Sequence, residues 1–163
     1  EYEGIDFSIF FQGVGKQNWY PTQYAYTFWG PYSLPSVSFI PTNFENMVWS
    51  ESNPNAYYPR PRGNQAYSAG ALNVYNSRYL QNAAYLRLKN LSIGYTLPIK
   101  NNAVVKKARV YVACENLFYW SPMKKYTKAV DPELVNSSST YQGKSGVGYG
   151  FSKSISVGAD ITF

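Results

Sequence analysis

Alternation of apolar and small polar side chains near the end of the chain limits its possible folds more than any other feature. Along 151–163 the odd positions are apolar except for Lys153, and the even positions hold only Ser, Gly, Asp and Thr. Because successive side chains of a strand point to opposite faces of a sheet, the pattern predicts a strand with one apolar and one wetted face. We place this strand at about 149–163. A half-buried strand of a water-soluble sheet alternates in the same way, so the pattern alone does not show whether the apolar face meets a protein core or another apolar environment.

The same alternation predicts three earlier strands, over about 3–12, 85–97 and 107–120. Four apolar residues around the start of the second strand also fit one face of a helix: Leu80, Ala84, Leu88 and Leu91. The β-favouring residues that follow them favour a strand, and we place its start at about Tyr85.

Along the chain, the first connection between predicted strands is long, the second is short and the third is long. Loops cover about 13–84 and 121–148, and a short turn covers about 98–106. Outer-membrane barrels have short periplasmic turns and long extracellular loops, whereas compact soluble domains rarely contain a structureless loop of the first length. The alternation of long and short connections favours four antiparallel strands that cross a membrane. The alternative is a soluble, aromatic-rich β-sandwich that binds carbohydrate.

The composition disfavours an enzyme. The 163 residues include no His and a single Cys, so catalytic triads, His-bearing zinc sites and internal disulfides are excluded. We predict no catalytic residue, no metal site and no cofactor. Net charge is +6, but the basic residues are dispersed and form no nucleic-acid-reading motif, so no nucleic-acid partner is predicted.

Short blocks spread along the chain carry a further signal. In chain order they are FFQGVG at 10–15, NPNAYYPR at 53–60, RYLQNAA at 78–84, YLRLKNLSIGYTLP at 85–98, ENLFYW at 115–120, DPE at 131–133 and the final Phe163. In type and order they resemble the C-terminal part of the barrel of SusC/RagA-like TonB-dependent outer-membrane transporters.

The resemblance implies an all-β fold: the last four antiparallel strands of a transmembrane β-barrel of about 22 strands, with long extracellular loops. It also implies location in the outer membrane of a Gram-negative bacterium, with outer-membrane lipid around the barrel. A SusD-like surface lipoprotein would be the partner, and TonB would act through an N-terminal part that this chain does not contain. The imported substrate would be an oligosaccharide or a peptide.

The long first loop supplies the candidate contacts with a ligand or with the lipoprotein lid. Flat aromatic faces stack on sugar rings or pack against a partner, and a guanidinium donates to polar ligands. The candidates are Trp19, Tyr20, Trp29, Trp49, Tyr57, Tyr58 and Arg60. The alternative is that these aromatic residues pack the loop into a folded unit of its own. Phe163 resembles the terminal aromatic residue that the outer-membrane assembly machinery recognises.

Overall fold

A computed structural model describes residues 2–32, 40, 42–62, 65–99, 104–128, 130–136 and 151–163. The chain divides into two compact units. The sheet unit contains Glu1–Gly15, Tyr85–Trp120 and Phe151–Phe163. The loop unit contains Lys16–Ala84 and Ser121–Gly150. Within the described ranges, every helix is too short or too polar to cross a membrane.

The structure is mostly β. Six strands occur in chain order: β1 Ile5–Val14, β2 Asn18–Trp19, β3 Gln81–Asn82, β4 Tyr85–Thr96, β5 Lys107–Trp120 and β6 Ser154–Thr162. Four of them form one antiparallel sheet in the order β1–β4–β5–β6. These strands overlap the four stretches predicted from the alternation, although β1 covers Ile5–Val14 rather than about 3–12. The last begins later than expected, at Ser154, and residues 149–150 and 100–103 lie outside the described residues.

The register of the sheet separates apolar from polar side chains. One row across the four strands joins Phe7, Ile93, Val112 and Val157. The neighbouring row joins Ser8, Ser92, Ala113 and Ser156. Directly opposite residues lie on the same face of a sheet, and successive residues lie on opposite faces. The sheet therefore has one apolar and one polar face.

The apolar face is open. Ile155, Val157 and Ile161 are 69%, 80% and 55% exposed. In the soluble β-sandwich considered above, a second sheet would bury such side chains. A continuous apolar surface on a sheet is instead typical of a face that meets lipid or a partner.

A β-bulge interrupts the alternation in the middle of the sheet. The register passes from Asn90 to Leu88 on β4 while it passes from Phe10 to Phe11 on β1. Apolar residues therefore occupy odd positions of β4 beyond the bulge and even positions before it. The resulting spacing of three between Leu88 and Leu91 explains why this stretch also fitted a helical pattern.

The loop unit has its own small core. Its helices are α1 Tyr26–Trp29, α2 Phe44–Met47 and α3 Gln65–Ser68, with 3-10 turns at Gly30–Tyr32, Ala71–Asn73 and Pro122–Lys125. Strands β2 and β3 pair as a separate two-stranded sheet. The core is mainly aromatic and aliphatic, and it contains Trp19, Ala25, Phe28, Trp29, Tyr32, Phe44, Val48, Tyr58, Leu72, Ala83, Met123, Val130 and Val135.

Candidate functional site

Tyr58 lies at the centre of the aromatic core of the loop unit. Its ring centroid is 5.6 Å from that of Phe28 and 5.8 Å from that of Tyr32. Its hydroxyl donates to the Phe28 carbonyl at 2.8 Å, and the Tyr32 hydroxyl donates to the Pro59 carbonyl. Trp29 Nε1 donates to the Pro21 carbonyl at 2.9 Å. Buried Tyr and Trp side chains need such partners for their polar atoms, so the rings are held in fixed positions.

Burial keeps these tyrosines protonated. Burial raises the pKa of Tyr57 to about 12, although a hydrogen bond from the Gln81 side chain opposes the rise. Burial also raises the pKa of Tyr32 and that of Tyr58 well above the usual tyrosine value. At physiological pH these phenols are neutral groups that pack and hydrogen-bond.

Three of the predicted contact residues lie inside the core. Trp19, Trp29 and Tyr58 are 4%, 1% and 3% exposed. The Trp19 ring meets the Phe28 ring edge-to-face at 5.9 Å. Trp29 meets the Tyr79 ring at 4.9 Å. In this structure these rings mainly shape the loop unit, in line with the packing alternative stated above.

The other predicted residues are more accessible. Arg60 is exposed, and its guanidinium carbon lies 4.5 Å from the ring centroid of Trp49, a cation–π contact. Arg60 also lies 3.9 Å from a Glu51 carboxylate oxygen, an exposed pair that contributes little stability. Tyr57 is half-buried and stacks on Tyr126 with centroids 3.9 Å apart.

A cleft of about 300 Å³ in the loop unit brings together Tyr20, Trp29 and Arg60. We call it the arginine cleft, because Arg62 lines it as well. The Tyr20 hydroxyl donates to the Val74 carbonyl at 2.6 Å, which fixes one wall. The volume is at the lower end of the roughly 300–1,000 Å³ of ligand sites. Aromatic faces beside guanidinium donors suit a ligand that has C–H or apolar surface to pack on the rings and oxygen atoms to accept hydrogen bonds, such as a sugar or a peptide.

The sequence did not single out Asn76 or Tyr79 as members of this cleft, although both line it. Asn76 Nδ2 donates to the Tyr20 hydroxyl oxygen at 3.1 Å. Tyr79 was visible only as part of the block at 78–84, whose neighbours in space cannot be read from its own composition.

The polar face of the sheet carries an ionic network. Arg109 on β5 donates to both carboxylate oxygens of Asp6 on β1, at 2.7 and 2.6 Å, and to Asp160 on β6 at 3.2 Å. The bidentate pair crosses the intervening β4 at Gly94, where a Cβ atom would lie 2.6 Å from both Arg109 Nε and Asp6 Oδ1. A glycine at this position leaves the space that the arginine occupies.

An open, single-layer antiparallel sheet with one apolar and one polar face is the arrangement of a membrane β-barrel wall. Comparison with known proteins agrees with this class. The TonB-dependent receptor P26 of Formosa agariphila is 25% identical over 99% of this chain, which spans 16% of the receptor. The TonB-dependent receptor P3 of the same organism is 36% identical over 43% of the chain, which is 6% of that receptor. No protein-family model matches the chain.

Solved structures of the RagAB peptide importer share the fold. In the open-open state the TM-score is 0.59 at 21% identity, covering 98% of this chain and 16% of the importer chain. In the closed-closed state it is 0.58 at 22% identity, covering 99% and 16%. The resemblance predicted from the sequence is confirmed: the chain is similar to SusC/RagA-type TonB-dependent receptors over nearly its whole length. Although nearly all of this chain is aligned, it spans only about a sixth of the length of these relatives.

Proposed function

We propose that this chain forms the last four strands of a barrel of about 22 strands in the outer membrane of a Gram-negative bacterium. The barrel belongs to an active transporter that imports oligosaccharides or peptides. A SusD-like surface lipoprotein assembles with it, and TonB drives it through a part of the protein that lies outside this chain. The chain contributes wall and loops and carries out no catalysis.

The division of the sheet into two faces carries this proposal. Rows such as Phe7–Ile93–Val112–Val157 suit lipid tails, whereas the Asp6–Arg109–Asp160 network needs water or polar groups. Tilted barrel strands of about 9–11 residues cross a bilayer, and the sheet strands are 9 to 14 residues long. The similarity to named receptors over 99% of the chain supports the same assignment.

The loop unit supplies the contacts with ligand or lipoprotein in this proposal. The arginine cleft offers Tyr20, Arg60 and Arg62, and the nearby Trp49 and Tyr57 offer partly accessible rings. Aromatic faces support a sugar ligand, and the similarity to a peptide importer supports a peptide. The buried Trp29 lines this cleft, and the buried Tyr58 packs against Tyr32, which lines it as well. Trp19 packs against Phe28 in the core of the same unit.

We assign Phe163 to barrel assembly. Phe163 is 70% exposed and follows directly after the last residue of β6. An exposed aromatic ring at this position is available to the assembly machinery before the barrel closes, and it can anchor at the membrane–water boundary afterwards.

Uptake by cells that produce the full-length protein tests the proposal. We expect the protein in the outer-membrane fraction, extractable only with detergent, and import of labelled oligosaccharide or peptide that stops when TonB is removed. Replacing Arg60 and Arg62 together by Gln is expected to reduce import at an unchanged protein level. Lys16→Gln, at an exposed position of the same unit, is the control. Recovery of the protein in the soluble fraction would contradict the proposal.

A further inference from the structure

A second cleft in the loop unit, of about 210 Å³, was not predicted from the sequence. One side of it comes from α1 and α2, through Phe28, Phe44 and Met47. The other side is the segment 124–128, which follows the buried Met123. We call it the lysine cleft. The side from α1 and α2 is largely apolar and aromatic, so a bound group would be partly removed from water.

Three cations line this cleft. Lys124, Lys125 and Lys128 all contribute to it, and none of its described lining residues is acidic. Lys125 Nζ lies 5.1 Å from the ring centroid of Tyr126, which is itself stacked on Tyr57. Like charges around a concavity with low-dielectric walls create a positive potential that attracts anions.

Two threonine hydroxyl groups without hydrogen-bond partners in the described structure also belong to the lysine cleft. Thr27 and Thr127 both line the lysine cleft. The hydroxyl oxygen of each is buried and has no hydrogen-bond partner within the described part of the chain. Thr127 as a whole is only 6% exposed. A buried hydroxyl without a partner is costly, and most native ones are satisfied by protein, water or ligand.

We propose that the lysine cleft binds a carboxylate group of the transported ligand. The lysines supply charge, and the aromatic wall packs against the part of the ligand that follows. Binding also displaces the side chains that cover the Thr127 hydroxyl, which then donates to a carboxylate oxygen. Peptides and acidic oligosaccharides both carry carboxylates, so the chemistry is shared by the two substrate classes. This inference rests on the proposed import function and adds a preference for acidic substrates.

Isothermal titration calorimetry tests the cleft. The full-length receptor, in complex with its lipoprotein partner in detergent, is titrated with two pairs of probes. One pair of probes is a blocked tetrapeptide with Glu and the same peptide with Gln. The other pair is trigalacturonate and galactotriose. We expect an acidic probe to bind more tightly than its neutral match, and the pair that shows this identifies the source of the carboxylate.

The decisive variant replaces Lys124, Lys125 and Lys128 by Gln together. It is expected to weaken binding of the acidic probe by at least about tenfold and to leave the neutral probe within about twofold. Unchanged neutral binding also shows that the variant is folded. Lys16→Gln, which removes one exposed cation outside the cleft, should leave both affinities unchanged. Equal affinity of the triple variant and the parent for the acidic probe would overturn the proposal.

The Thr127→Val variant tests the role of the hydroxyl group independently of the lysine charges. We expect weaker binding of the acidic probe with no loss of thermal stability, because the substitution removes a buried hydroxyl that has no partner in the described structure. Unchanged affinity would overturn the role of the hydroxyl. If neutral probes are imported but acidic binding is independent of the lysines, only this inference fails. If neither probe of either pair binds, the inference and the proposed function fail together.

Discussion

Gly94 shows how a single residue permits a contact that crosses a whole strand. Arg109 and Asp6 belong to strands that are separated by β4, yet their side chains form two hydrogen bonds of 2.7 and 2.6 Å. The bidentate geometry is the strong form of an arginine–carboxylate contact. It exists because the β4 residue beneath the guanidinium has no side chain. Gly158 plays a similar part under Tyr111, whose ring carbon Cε1 would lie 2.9 Å from an added Cβ.

We predict that Gly94→Ala lowers the free energy of unfolding of the full-length barrel by about 1–3 kcal/mol, the usual cost of overpacking. The added methyl group would displace the Arg109 guanidinium and weaken its pair with Asp6. Urea unfolding in lipid vesicles measures the change. Gly15→Ala is the matched control, because no described atom lies within 4 Å of the added Cβ. Equal stability of the two variants would show that the glycine is not needed for the contact.

Val157 and Ser156 are adjacent residues of β6 on opposite faces of the sheet. If the apolar face meets lipid, Val157→Arg should cost roughly 2–4 kcal/mol near the midplane of the membrane. Ser156→Arg should be much milder, because the polar face is wetted. The same unfolding measurement compares them. Similar losses from both substitutions would argue against the assigned orientation.

At the scale of elements, the loop unit depends on neutral tyrosine side chains. Tyr57 has a pKa of about 12 in the folded state, compared with 10.0 for an ordinary tyrosine, chiefly because it is buried. A group whose folded pKa is raised stabilises the fold fully below the unfolded pKa. That contribution is lost as the pH rises through the folded pKa. The stability of the loop unit should therefore decrease above about pH 10.

We predict that part of the tyrosine absorbance change at high pH occurs only near or above pH 12, together with a loss of the near-ultraviolet circular dichroism of the aromatic core. Tyr57→Phe should remove one late-titrating group without abolishing the core, because the Tyr58 ring keeps its contacts with Phe28 and Tyr32. Complete ionisation of all tyrosines around pH 10, with the dichroism intact, would contradict this description.

The bulge in β4 marks the limit of prediction from periodicity. Alternation identified the four sheet strands because a strand with one buried or lipid-facing side repeats every two residues. It left the region around Leu88 open between strand and helix, because the register shift there moves the apolar side chains from odd to even positions. Asn116, where the alternation of β5 breaks, has a positive φ of 51°, a conformation that Asn tolerates better than most residues. Nothing in a repeat of two residues signals such a shift in advance.

At the scale of the whole molecule, the sheet was predictable and most of the loop unit was not. The sheet follows from local alternation, but the clefts bring together residues far apart in sequence, such as Thr27 and Thr127. Aromatic content suggested contact residues in the first loop. The sequence alone could not show that Trp29 is buried, at 1% exposure, whereas Arg60 beside the same cleft is exposed. Burial there depends on long-range packing.

The most direct measurement of the central claim is a scan of single spin-labelled cysteines at 154–158, in the full-length receptor reconstituted in lipid and freed of other cysteines. Collision with oxygen, which concentrates in lipid, is compared with collision with a water-soluble nickel complex. The sheet described here predicts strict alternation, with labels at Ile155 and Val157 meeting oxygen and labels at Ser154 and Ser156 meeting nickel. Uniform accessibility along the scan, or burial of Ile155 and Val157 from both reagents, would contradict a barrel wall.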